Sequence, residues 1–217
     1  MVSNPCEPPT DCPVCPRLVA FREQVCTEHR DWHNAPVASF GDPAGQLLIV
    51  GLAPGMKGAN RTGRPFTGDY AGDLLYKTLI AHRFAHGTYL ARPDDGLELT
   101  DCLITNAVRC LPPQNKPNGA EIKACRPFLL ATMAAMPNLK AVLALGRIAH
   151  ETFLSAIGAR RAAHPFGHNA SHKLDGLTLF DSYHCSRYNT NTGRLTEAMF
   201  NDVFDAIDRF LNRQSKS

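Results

Sequence analysis

The sequence predicts an α/β fold, a parallel sheet with helices on both faces, formed by one unit of 217 residues. Three observations carry this reading. Strand-like and helix-like segments alternate along the whole chain. The strands are unbroken apolar runs, as expected when both faces of a sheet are covered. The long polar segments follow strand ends, which is where open parallel sheets hold their ligands.

Each element has its own local signature. Residues 1–11 are polar and proline-broken, a flexible leader with little to pack. Between Pro13 and His29 the apolar residues Leu18, Phe21 and Val25 recur at helical spacing. Residues 47–51 (Leu-Leu-Ile-Val-Gly) read as the first strand. Residues 52–72, rich in Gly, Pro, Asn and Thr, read as loop, with a helix expected over about 71–82. Residues 103–108 are the second strand and enter a proline-broken loop, 111–119, before a helix over about 120–136. Residues 141–145 are the third strand, stopped by Gly146, and a helix over 147–157 follows. Residues 177–180 are the fourth strand. A polar loop, 182–195, then leads to the last helix, with Thr196 as its N-cap and Glu197 as a favourable anion in its first turn.

Composition narrows the class. A hydrophobic fraction of 44% is that of a globular protein. A net charge of +3 permits contact with a polyanion without arguing for it. The first sixteen residues are Pro- and Cys-rich, unlike a secretory signal, and no apolar run approaches a membrane span. The expectation is a cytoplasmic protein of the bacterial type. Eight cysteines in a reducing compartment argue against a disulfide framework and for metal binding or plain burial.

The cysteines divide into two groups. Cys12 and Cys15 form a Cys-x-x-Cys, Cys110 lies just past the second strand, and Cys125 sits on the helix after it. Four such thiolates make a site for zinc or for an iron–sulfur cluster; unrelated buried thiols are the competing reading. Cys6, Cys26, Cys102 and Cys185 share no pattern. Cys102 is expected inside a strand and Cys26 in helix packing.

The strand-end loops hold the other candidates. Residues 51–55 (Gly-Leu-Ala-Pro-Gly) are small enough for a ligand to approach the backbone, and an ordinary loop exit reads the same way. Residues 63–69 lack the Gly-Lys-Ser/Thr ending of a phosphate-binding P-loop. Phe66 there suits stacking on a planar ligand or plugging the core. Asp69 suits a general base or a helix cap. Asn106, at the end of an apolar strand, must hydrogen-bond something, either loop backbone or the edge of a base. His184 stands just past the fourth strand, where sites cluster on such sheets.

Taken in this order, these segments resemble the uracil-DNA glycosylase superfamily, nearest its iron–sulfur branch of families 4 and 5. The matching segments are Cys12-x-x-Cys15, residues 51–55, 60–69, 105–110 with Pro112-Pro113, Cys125-Arg126-Pro127, Leu145-Gly146 and the His184 loop. Residues 51–55 and 189–196 (Asn-Thr-Asn-Thr-Gly-Arg-Leu-Thr) are more similar to family 5, or type b, than to family 4. One departure is Cys185, where the family usually has proline after the motif histidine.

The resemblance implies a four-stranded parallel sheet of order 2-1-3-4 in a three-layer α/β/α fold. It implies a [4Fe–4S] cluster on Cys12, Cys15, Cys110 and Cys125, acting as a clamp on the N-terminal segment. It implies that Asn106 reads the base, Phe66 stacks on it, His184 is the motif histidine, and Asp69 replaces the catalytic group that family 5 lacks in residues 51–55. The expected activity is excision of uracil, with hypoxanthine and xanthine, from DNA by a monomer. Ala53 is expected at the base edge, and Arg187 and Tyr188 in the gap left in the duplex. Phosphate contacts are expected from among Lys57, Arg61, Arg64, Arg109, Lys116, Arg147, Arg187 and Arg194. Two other readings compete: a non-catalytic iron–sulfur nucleic-acid-binding protein, and a small-molecule enzyme using the Gly/Pro loop for a phosphate.

Overall fold

A computed structural model describes residues 6–212. In chain order the elements are α1 (Pro16–Glu28), β1 (Phe40–Gly41), β2 (Leu47–Gly51), α2 (Ala59–Thr62), α3 (Tyr70–Ala81), β3 (Ala85–His86), β4 (Glu98–Leu99) and β5 (Cys102–Asn106). They continue with α4 (Gly119–Ala134), β6 (Ala141–Leu145), α5 (Arg147–Ala156), β7 (Ser171–Leu174), β8 (Leu177–Ser182), α6 (Arg187–Asn191) and α7 (Glu197–Phe210).

The main sheet runs β1-β5-β2-β6-β8-β7. Its four central strands are parallel, and they are the four expected strands in the expected order. The sheet is nevertheless larger than four. Two short antiparallel strands, β1 and β7, cover its edges, where unpaired backbone groups would otherwise face solvent. Both are poor in the apolar signal that marks the centre: β1 has two residues and β7 alternates in exposure.

Strand β2 shows why the runs are continuous. Leu47 and Ile49 pack into the layer of α3 and α7, and Leu48 and Val50 pack into the layer of α4 and α5. All four are fully buried. Truncating such a leucine or isoleucine to alanine costs roughly 2–5 kcal/mol. Thr196 caps α7 as expected, its Oγ1 accepting from the Met199 N–H at 3.2 Å.

Three expectations are corrected. The leader is not loose over residues 6–11: the Glu7 carboxylate accepts from Arg109 at 2.7 Å and from the Ser39 N–H at 3.0 Å. The buried Arg109 side chain demands that counter-charge. Residues 1–5 lie outside the described residues. Cys26 is exposed rather than packed. The loops 52–72 and 182–195 each contain a short helix, α2 and α6, too brief for periodicity to register.

Candidate active site

The carboxyl ends of β2, β5 and β8 open into a cavity of about 550 Å³. That is within the usual size range for a small-molecule site, roughly 300–1,000 Å³. Ala53, Phe66, Asp69, Asn106, His184 and Arg187 all line it. Six of the seven residues expected around a base therefore converge on one space. Tyr188 is the exception: it stands 72% exposed on α6, outside the lining.

Asn106 ends β5 opposite Gly51 of β2. A Cβ at position 51 would collide with Asn106 Oδ1 and would lie 2.7 Å from Phe66 Cζ. The glycine thus makes room for two of the chain's own side chains. The Asn106 residue is 3% exposed, and its amide has no hydrogen-bond partner among the described residues. A buried amide in that state is directed at a ligand or at water in the cavity.

Phe66 has φ 53°, a left-handed conformation that bulky residues rarely adopt. Its neighbours hold it there. The Tyr76 hydroxyl donates to Pro65 O at 2.6 Å, and the Tyr89 hydroxyl donates to Phe66 O at 3.2 Å. The Arg64 guanidinium braces the same loop. It donates to both Asp95 oxygens at 2.8 Å and to Thr67 Oγ1 at 2.7 Å, and it lies over the Phe40, Tyr76 and Tyr89 rings. Arg64 is therefore buried structure, not a phosphate contact, and so is Arg109. Both expectations are corrected by burial and by the partners that consume their donors.

Asp69 is a helix cap and also lines the cavity. Its backbone is the N-cap of α3, and Oδ1 accepts weakly from the Gly72 N–H at 3.3 Å. Its Oδ2 rests against Gly55 and Gly58, where a Cβ at Gly58 would strike the carboxylate. Burial pushes the Asp69 carboxyl above its ordinary pKa, and Asp73 adds to this; the backbone N–H groups of Gly72 and Ala71 oppose it. His184 is half-buried with its ring 5.9 Å from that of Phe66. Burial pushes its imidazole down to about 4, so the ring is neutral at pH 7. Cys185 behind it is wholly buried, with its thiol pushed up by burial and by Asp69, and acts as a neutral packing group.

Among the polar lining residues, Tyr70, Asn115 and Ser186 were not foreseen in this role. Tyr70 follows Asp69 and stacks under the Arg187 guanidinium at 5.3 Å, at the cavity wall. Asn115 belongs to the proline-broken loop after β5, and that loop's position past a strand end was the available signal. Ser186 caps α6, accepting from the Asn189 N–H at 3.5 Å.

Beside the cavity lies a second, smaller one, lined by Cys12, Cys15, Cys110 and Cys125 together with Leu18 and Phe128. Burial pushes Cys110 up to about 12 and Cys125 up to about 11, and the neighbouring thiols add to both shifts. Arg109 N–H donates to Cys125 Sγ at 3.3 Å. The N-terminal side is tied down by Arg17 on α1, which pairs with Glu121 on α4 at 2.7 Å.

Fold and cavity together define an α/β protein with an open cavity at the carboxyl ends of its parallel strands, lined by aromatic, amide, imidazole and carboxylate side chains. The family model of the uracil DNA glycosylase superfamily matches residues 38–208. The type-5 uracil-DNA glycosylase of Thermus thermophilus is 46% identical over 200 residues, 89% of this chain and 91% of that protein. That of Mycobacterium bovis is 40% identical over 202 residues, 89% and 75% of the two chains. A type-4 uracil-DNA glycosylase of Sulfurisphaera tokodaii is 30% identical over 221 residues, 92% and 93%. The chain belongs to the uracil DNA glycosylase superfamily and groups with its type-5 members.

Proposed function

We propose that the protein is a DNA repair glycosylase that flips uracil out of DNA and hydrolyses its N-glycosidic bond, leaving an abasic site. One observation carries this: the Asn106 amide, without a partner among the described residues, and the neutral His184 ring share a cavity with Phe66 and Asp69. A base inside a duplex must leave the stack before its glycosidic bond is reached, at a cost of a few kcal/mol. Phe66 then stacks on it. The Asn106 oxygen accepts from the uracil N3–H, and its NH2 donates to O4. Backbone N–H groups near Ala53 complete the edge.

As the bond breaks, its electron pair leaves with the base and positive charge grows on the sugar. His184 donates one N–H to the departing base; such a donor is worth roughly 3–4 kcal/mol in the transition state. Asp69 stabilises the sugar cation or orients the water that adds to the anomeric carbon. Arg187 and the exposed Tyr188 occupy the gap in the duplex, and Lys57 and Arg61 add positive charge for the phosphates, so affinity falls steeply with salt. In single-turnover excision on pre-bound uracil DNA, His184→Ala is expected to be roughly 10²–10³-fold slower, and Asp69→Asn slower as well. Undiminished rates overturn these roles. DNA binding by the unaltered protein without any excision returns the reading to a non-catalytic member of the fold.

The range is proposed to include hypoxanthine and xanthine. A cavity of about 550 Å³, with no carboxylate in residues 52–55 of its wall, supports entry of a purine. Excision rates against uracil, hypoxanthine, xanthine and thymine mismatches test this; activity on uracil alone removes it. One cavity serves one flipped base, so the working unit is proposed to be a monomer, which sedimentation of the DNA complex checks; a cytoplasmic location is proposed because free thiols and a thiolate-held cluster suit a reducing compartment. No helix among the described residues is long and apolar enough to cross a membrane.

We infer that Cys12, Cys15, Cys110 and Cys125 hold a [4Fe–4S] cluster. A tetrahedral zinc with bonds of about 2.3 Å would draw four sulfurs to roughly 3.8 Å from one another. Among the described residues no three of these sulfurs lie mutually within 4.8 Å. That spread, around a shared cavity, favours a larger multi-iron group. When bound, the cluster supplies a structural clamp rather than a step of the hydrolysis. Iron and sulfide stoichiometry with the visible spectrum tests the assignment; a colourless protein carrying one zinc overturns it.

A further inference from the structure

We propose that His150, His172 and Asp181 form a second metal site, for one divalent ion of the zinc type, beside the carboxyl end of β8. None of the three lines the base cavity or the thiol cavity. His150 lies on α5, His172 on edge strand β7 and Asp181 on β8. Their ligand atoms all lie within 4.8 Å of one another. Two imidazoles and a carboxylate are a donor set that zinc and other first-row divalent ions take.

The surroundings match a ligand set as well as the donors do. Asp181 is wholly buried, so its charge must be compensated. His150 Nε2 lies 2.9 Å from His164 O, a carbonyl that can only accept, which places the N–H on Nε2. The other nitrogen, Nδ1, then points at Asp181 Oδ1 from 2.7 Å. Two lone pairs so close require a proton or a cation between them. A backbone carbonyl holding the outer N–H of an imidazole is the usual support of a metal-bound histidine. His172 Nε2 faces the same carboxylate, 3.1 Å from Oδ2.

A further imidazole stands close: the His164 ring is 5.6 Å from that of His172. A tetrahedral ion with bonds of about 2.0–2.2 Å holds its donor atoms roughly 3.3 Å apart. Taking up the ion therefore asks the His150–Asp181 contact to open by about half an ångström. The His172 side chain, 11% exposed, is the one the ion would meet first. Once bound, the ion would join α5, β7 and β8 three residues before His184.

The test uses the purified full chain with its cysteine-bound metal in place, titrated with Co2+ and Zn2+. The expected result is one additional equivalent, with Co2+ absorption typical of nitrogen and oxygen ligands and no sulfur-to-metal charge-transfer band. His172→Gln, changed at the partly exposed member, should lose that equivalent and keep its cysteine-bound metal. Its melting temperature should no longer rise on adding Zn2+, whereas that of the unaltered protein should. No additional equivalent at micromolar metal, a thiolate-type Co2+ spectrum, or undiminished binding by His172→Gln each overturns the proposal. If the variant does not fold, the ligand type in the Co2+ spectrum of the unaltered protein decides alone.

Discussion

Asn106 and Arg109 lie three residues apart on the segment leaving β5, and both are buried, but their polar atoms meet opposite conditions. The Asn106 amide faces the base cavity with no partner among the described residues. The Arg109 guanidinium donates to Glu7, Ser39 and Thr132, and only its Nε lacks a partner among the described residues. The first end of the segment leaves its amide facing the cavity. The second holds the N-terminal segment on the domain, beside the thiols. Ala53 touches both worlds, since it lines the base cavity and packs against the thiol cluster of Leu18, Val108, Cys110 and Cys125. Burial alone does not separate a site from a scaffold; the state of the polar atoms does.

That contrast can be broken from either end. The largest effect is expected from Arg109→Ala. Removing it leaves Glu7 without its counter-ion and should destabilise the protein by about 3–5 kcal/mol. For a chain of this size that is roughly 6–20 °C in melting temperature, read by calorimetry, with pocket chemistry in the surviving folded fraction little changed. Asn106→Ala should do the reverse. Its melting temperature stays near that of the unaltered protein, because no partner is lost. Uracil excision falls by roughly 5–150-fold, the equivalent of an amide–base pair worth about 1–3 kcal/mol. Equal effects of the two substitutions on both measurements would erase the distinction.

A smaller effect is expected from Gly58→Ala. The added Cβ displaces the Asp69 carboxylate, so single-turnover excision slows while DNA affinity holds. Enzyme titrations on pre-bound substrate separate the two. The smallest and most specific signature is in pH. Burial raises the Asp69 pKa, so as pH falls its carboxylate takes up a proton earlier than an ordinary one, and excision is lost on the acid side. Burial holds the His184 imidazole down to about 4, so above that pH the ring stays neutral. Asp69→Asn should therefore slow the reaction and flatten that acid limb. A limb that persists in the variant assigns the titration elsewhere.

Much of the fold and of the candidate site was legible in the sequence. The four parallel strands are continuous apolar runs, and the helices that cover them carry the 3.6-residue period. The cavity lies where the polar loops follow strand ends. The two edge strands were missed for different reasons. β1 is too short to carry a pattern. β7 reads Ser-His-Lys-Leu, but Asp175-Gly176 before β8 is a two-residue hairpin turn and was the signal that could have found it. Arg64 and Arg109 failed as phosphate contacts for a deeper reason: a guanidinium that binds phosphate and one that braces a loop look alike in one dimension.

The sequence by itself determined the parallel centre of the sheet, its order through the family resemblance, and the set of side chains that meet in the cavity. The parallel centre depends on burial periodicity and the candidate side chains on position after a strand, both of which are local; the order rested on the resemblance alone. Tertiary structure decided which polar groups are left open. Arg64 finds Asp95 across 31 residues and Arg109 finds Glu7 across 102, whereas the Asn106 amide finds no partner among the described residues. It also gave Asp69 both of its roles, cap through Oδ1 and cavity wall through Oδ2. Pairing between distant residues leaves no periodic trace in a sequence, because it depends on the closure of the chain rather than on the spacing of its neighbours.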